Sequence, residues 1–270
     1  MSRRIFRTVP LHNKAFLVEW EQKPSDKLLE IILSFKSAID KDYKVSRTVM
    51  GYQSLLIHMK EEIQDMSLWN EYLNELQIKI QPKIIDKGKI WKIPVCYDNI
   101  FAPDLIPLAK SLKIEVEELI QIHSETKYRV YFIGFLPGFL YLNGLDKRLH
   151  FPRKKNPQLK VPKGAIGIGG TQTGVYPNES PGGWHLIGKT PISLFDAKQK
   201  KPCFASPGDW VSFEPIDKRK YHELKRKIQK DNFKMLPNQR LKLFNTEFIP
   251  AFKIWVDLII NPMEFQSLEL

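Results

Sequence analysis

Over roughly the first 95 residues, apolar positions alternate between a period of two and helical spacing. Residues 5–9 and 15–20 read as short strands. Ser25 then offers an N-cap for a helix through Ile39, whose apolar stripe is Leu28, Leu29, Ile31, Ile32 and Phe35. Residues 43–49 and 52–59 fit a strand pair around Gly51, residues 67–76 a second helix, and residues 89–95 a strand. Strand–helix–strand–strand–helix–strand is the ferredoxin-like order, here with an extra strand in front. The pattern predicts a small α+β domain over residues 1–95.

The character changes after Pro94. Two short helices are predicted at 104–112 and 116–122, and a strand at 128–133. From Gly134 to Gly208, Gly and Pro repeatedly interrupt short β-branched or aromatic runs. That punctuation argues for an all-β barrel or sandwich, so residues 96–234 are predicted to form a second, β-rich domain. Near its end, Tyr221, Leu224 and Ile228 recur at helical spacing beneath a basic face. Residues 235–270 are left as an unassigned tail.

Composition narrows the function classes. A 43% hydrophobic and 27% charged chain of 270 residues is that of a globular protein. The net charge of +12 invites a nucleic-acid reading. Its one local concentration, at 218–227, is the solvated face of the amphipathic helix, and no nucleic-acid motif accompanies it, so no nucleic-acid partner is expected. Cys96 and Cys203 form no CxxC pair, which speaks against a disulfide framework. The N-terminal Met-Ser-Arg-Arg lacks a secretory h-region, and residues 248–260 are too short and too charged to span a bilayer. A cytoplasmic chain with no membrane partner is expected. The six histidines lack metal-ligand spacing, and no metal is expected.

The candidate chemistry lies in the Gly/Pro block. In Gly134 to Leu142 (GFLPGFLYL) and Val161 to Pro191, glycines can turn backbone N–H groups toward an anionic or carbonyl oxygen. Lys163 or Lys189 would supply charge beside such a nest. The alternative is that the glycines only make the tight corners of a small barrel. Polar side chains are dense among them: Thr171, Gln172, Thr173, Tyr176, Ser180 and His185. His123, at a helix end, is a candidate proton carrier or simply a cap, and Arg153 can clamp a carboxylate or phosphate. Neither a P-loop nor a dinucleotide fingerprint is present.

Taken together, IPVCYD (Ile93 to Asp98), IQIHS (Ile120 to Ser124), YFIGFLPGFLYLNGLD (Tyr131 to Asp146), FPRKKNP (Phe151 to Pro157), VPKGAIGIGGTQTGVYPNESPGGWHLIGKTPISLFD (Val161 to Asp196) and SPGDWVSFEPI (Ser206 to Ile216) resemble the allophanate hydrolase subunit 1 family. The resemblance implies a ferredoxin-like α/β-sandwich domain followed by a cyclophilin-like β-barrel. It implies a non-autonomous subunit that works with 5-oxoprolinase subunits C and A to open 5-oxoproline, a cyclic amide, to glutamate at the expense of ATP. The family also contains allophanate-type amide hydrolase subunits and an inhibitor of a histidine kinase, so these remain alternatives. The site residues it implies are His123, Arg153 and Gln172 for catalysis. For substrate or phosphate binding it implies Pro137, Gly138, Tyr176, Ser180 and Trp184, to which Thr171 and Lys189 of the same Gly/Pro block are added as candidates. Lys189 stands where relatives show Arg, which removes a bidentate anion contact.

Overall fold

The computed structural model describes residues 6–80, 82 and 88–230; the tail at 235–270 lies outside the described residues. The described residues divide into two compact units, those within 6–88 with 131–134, and those of 89–130 with 135–230.

In the first unit, β1 (Phe6–His12), β2 (Ala15–Trp20), β3 (Val45–Met50) and β4 (Ser54–Met59) form an antiparallel sheet in the order β1-β2-β4-β3. Two helices join them, α1 (Asp26–Ile39) and α2 (Met66–Lys79). Helix α1 starts where the sequence predicts, with Ser25 Oγ accepting from Leu28 N at 3.2 Å. Its apolar stripe of Leu28, Leu29, Ile32, Phe35 and Ile39 is buried with Phe16, Val18 and Trp20 of β2 and Leu55 and Ile57 of β4. Phe35 meets Trp20 edge-on at 5.4 Å. Burying such a side chain contributes about 2–3 kcal/mol.

The strand expected to complete this sheet does not join it. Residues Ile90–Val95 form β5 of the second unit and run parallel to β13 (Trp210–Pro215). The edge beside β2 is occupied by β1, the strand read as an extra. A strand's own pattern shows which of its faces is buried, not which sheet receives it.

The second unit is a nearly closed barrel. Its other strands are β6 (Tyr128–Ile133), β7 (Leu140–Asn143), β9 (Ala165–Gly169), β10 (Gln172–Val175) and β12 (His185–Lys189), in the order β12-β9-β10-β7-β6-β13-β5. A small separate pair is made by β8 (Gln158–Val161) and β11 (Ser180–Gly182). The barrel seam is stitched where Cys96 and Lys189 exchange two backbone hydrogen bonds, each 2.9 Å. Gly188 allows it, since a Cβ there would meet Val95 Cγ1 at 2.7 Å. Helices α3 (Leu105–Leu112), α4 (Val116–Glu125) and α5 (Lys218–Lys230) complete the unit, and α5 has the predicted basic face over buried Tyr221 and Leu224.

Candidate functional site

Strands β9 and β10 organise the site because their side chains alternate between two faces. Ile166, Ile168, Thr173 and Val175 share one face, while Gly167, Gly169 and Gly174 share the other. A Cβ on Gly169 would lie 2.4 Å from Cδ1 of Trp184, and one on Gly174 would lie 3.0 Å from its Cζ3. Three glycines therefore form a flat bed for one indole. Gly182 does the same for Tyr176, whose hydroxyl would be 2.5 Å from an added Cβ. Two of the glycines expected to form a nest have their N–H groups engaged elsewhere. Gly164 N–H already donates to Tyr176 O and Gly170 N–H to Phe151 O, both at 2.7 Å.

The bed supports a cleft of about 340 Å³ between Phe135, Phe139, Tyr141, Arg153, Tyr176, Trp184 and residues 181–183. That volume is within the range of small-molecule sites. Its floor is an aromatic cluster, with Phe139 edge-on to Trp184 at 5.5 Å and to Tyr176 at 5.3 Å. Arg153 is the cation above it, its guanidinium carbon 5.7 Å from the Trp184 ring. Among the described residues Arg153 makes no ion pair. Burial pushes the Tyr176 phenol up to about 12, against the opposing pull of the Trp184 backbone and the Arg153 charge. Burial also raises Tyr141. Both phenols thus keep their protons at neutral pH and can donate to an anionic oxygen.

Arg153 sits on a strap at 151–157 that is tied at several points. Phe151 bridges Gly170, Lys154 N–H donates to Gly183 O at 2.7 Å, and His185 Nε2 donates to Pro152 O at 2.9 Å. The Lys154 ammonium meets Asp104 at 2.6 Å, and the same carboxylate accepts from Leu186 N at 2.7 Å. The guanidinium makes no ion pair among the described residues, and its strap is fixed at the root.

The structure gathers Arg153, Tyr176 and Trp184, but not every residue the sequence put forward. His123 is fully buried inside the barrel, stacked on Phe213 at 4.6 Å. The Thr173 hydroxyl donates to Gly167 O at 3.0 Å, so its oxygen accepts from His123 Nε2–H, also at 3.0 Å. That leaves Nδ1 to accept from Tyr97 O–H at 2.8 Å. Burial lowers the His123 pKa to about 3. The imidazole has both nitrogens engaged and no exposure, and it does not line the cleft. Gln172 lies opposite Gly169 on the bed's face and Thr171 is exposed in the adjoining turn; neither lines the cleft. Pro137 and Gly138 form the turn before β7, where Gly138, at φ +85°, packs on Phe195. Ser180 is buried in β11 with its backbone paired to Val161. Lys189 faces a different groove, at the barrel seam.

Sequence reasoning missed Phe135 and Tyr141. Phe135 is 64% exposed and holds φ +65°, a conformation that a bulky residue rarely adopts. Backbone strain of this kind concentrates at functional sites. Only its place in GFLPGF, next to turn residues, hints at it.

Residues 6–205 match the model of the carboxyltransferase domain, subdomain C and D. The chain is 36% identical over 206 residues to the B subunit of 5-oxoprolinase from Haemophilus influenzae, covering 76% of this chain and 95% of that protein. It is 47% identical over 137 residues to the B subunit of 5-oxoprolinase from Bacillus subtilis, covering 51% of this chain but only 57% of that protein. The crystal structure of K. lactis urea amidolyase superposes with a TM-score of 0.71 at 18% identity, over 97% of this chain and 18% of the enzyme, and so supports the fold. Among the described residues, no helix is long and apolar enough to cross a membrane. The chain belongs to the family of the carboxyltransferase domain, subdomain C and D.

Proposed function

We propose that this chain is the B subunit of an ATP-dependent 5-oxoprolinase and that the Arg153 cleft receives the cyclic amide. The observation that carries this reading is a guanidinium held over an aromatic floor with no ion pair among the described residues. 5-Oxoproline is a small ring with an apolar methylene face, a carboxylate and a lactam. The methylene face suits Trp184 and Tyr176, the carboxylate suits Arg153, and the phenols of Tyr141 and Tyr176 can donate to its oxygens. The 5-oxoprolinase relatives support the substrate assignment. In this reading ATP is the co-substrate of the assembled enzyme, and the C and A subunits are the partners. The chain works in a cytoplasmic complex.

The test is reconstitution. The purified A and C subunits together with this chain, given 5-oxoproline and ATP, are expected to release glutamate, and omission of this chain is expected to abolish release. An unchanged rate without it overturns the proposal.

A further inference from the structure

A second concave region lies at the barrel seam, a groove of about 500 Å³ lined by Ile100, Phe101, Pro103, Gln158, Leu159, Lys160, Pro162, Leu186 and Lys189. Three independent features distinguish it. Its apolar lining is unusually bare, with Leu159 84% and Ile100 66% exposed. Its charge is of one sign: no carboxylate lines it, and Lys160 and Lys189 form no ion pair among the described residues. Lys189 is half-buried over the Phe101 ring at 5.8 Å, and Lys225 of α5 is close enough to depress its pKa further than burial alone. Finally, one wall is an open strand edge. Strand β8 pairs only with β11, so its other edge has no strand neighbour among the described residues.

An exposed edge, an apolar trough and unpaired lysines are the elements that recognise an added strand. Backbone hydrogen bonds from the edge give affinity, alternate side chains fill the trough, and cations select the sequence. A lone small anion would have no use for Leu159 and Ile100, and a purely apolar segment would leave the lysines unpaired. We propose that the groove along β8 docks an extended, carboxylate-bearing apolar segment of a partner subunit. This rests on the reading of the chain as one subunit of a 5-oxoprolinase, and takes the C subunit as the partner.

The experiment measures binding of the full chain to the purified C subunit by titration calorimetry, with sedimentation velocity of each protein alone. The double variant Leu159→Asp/Lys160→Glu changes two exposed side chains and leaves the core untouched. It is expected to weaken binding at least about 10-fold, the cost of about 1.4 kcal/mol, whereas Arg153→Ala binds as the wild type does. Wild-type affinity is expected to fall as salt rises. If wild type binds the C subunit and the double variant binds equally well, the docking surface is wrong and the functional reading stands. If wild type does not bind the C subunit at all, the assignment of this chain to the complex itself fails. If the chain alone forms dimers that the double variant abolishes, the occupant is a second copy and the proposal is overturned.

Discussion

On the inner face of β9–β10, Thr173 donates its proton to Gly167 and accepts one from His123, so both side chains are matched there. On the outer face of the same two strands, three glycines make room for Trp184, and the cation over that ring, Arg153, has no carboxylate partner among the described residues. The two faces differ in where their polar capacity is used. The inner face uses the capacity of His123 and Thr173 within the fold, whereas the outer face leaves that of Arg153 for a ligand. Polar residue type alone does not separate these roles, but the partner and exposure of each group do.

The sharpest way to break the comparison is to replace His123. His123→Phe leaves the Tyr97 hydroxyl and Thr173 Oγ1 short of a partner in a dry interior. At about 1–3 kcal/mol per unsatisfied group, a loss of roughly 2–4 kcal/mol is expected in urea denaturation at pH 7. The activity of the protein that remains folded should be unchanged per molecule in the reconstituted enzyme. A lower kcat at unchanged stability would return His123 to the catalytic machinery.

The same residue predicts a pH dependence. Its folded pKa of about 3 lies below the ordinary value of 6.5, so the unfolded chain binds the proton more readily. The stability contributed by neutral His123 is full above about pH 6.5 and is lost as pH falls from there toward 3. Denaturation curves at pH 7 and pH 5 should converge in midpoint more closely for His123→Phe than for wild type.

Next in size is Gly169→Ala. The added Cβ would lie 2.4 Å from Trp184, which is itself wedged against Phe139 and Tyr176 and cannot give. An overpacking cost of about 1–3 kcal/mol is expected, with a shift in tryptophan emission and a raised KM. Gly170→Ala, one residue on, meets nothing within 4 Å, and its cost comes only from φ +66°. A smaller effect at Gly169 than at Gly170 would mean that the bed is not what holds the indole.

The residues that proved legible in the sequence are those whose chemistry is local. Ser25 caps α1 where its side chain allows, whereas the glycines of AIGIGGTQTG, read as a nest or as tight corners, form a bed under Trp184 that only the strand pairing reveals. Tyr176 and Trp184 came with the motif that contains them. What was not legible depended on long-range placement. β5 has the same alternation whether it ends one sheet or begins another. His123 was read as a helix-end residue, yet α4 continues to Glu125 and turns that imidazole into the barrel. Phe135 and Tyr141 join the cleft only after strands far apart in sequence are paired.

On the outer face, Arg153→Ala is expected to raise KM for 5-oxoproline about 10- to 100-fold, the equivalent of one charge-assisted hydrogen bond, with stability nearly unchanged. A comparable loss in kcat alone would indicate that Arg153 acts on the transition state and not on the bound ring.

The smallest effect should come from the root of the strap. Asp104 and Lys154 are each 17% exposed in their side chains, and the pair joins the strap to the start of α3. Asp104→Asn retains an oxygen for Leu186 N but removes the charge opposite Lys154. The strap keeps its backbone ties at Phe151 and Lys154 N, so Arg153 should not be released, only loosened. Loosening lowers the fraction of molecules with the guanidinium over Trp184, which raises KM in proportion and leaves kcat alone. A rise of about 2- to 5-fold is expected, because a partly exposed ion pair contributes about 1 kcal/mol or less. High salt should narrow the difference between variant and wild type, since the lost attraction is electrostatic. If Asp104→Asn lowers kcat and KM stays fixed, the strap does more than present Arg153, and the cleft's cation is set by its backbone ties alone.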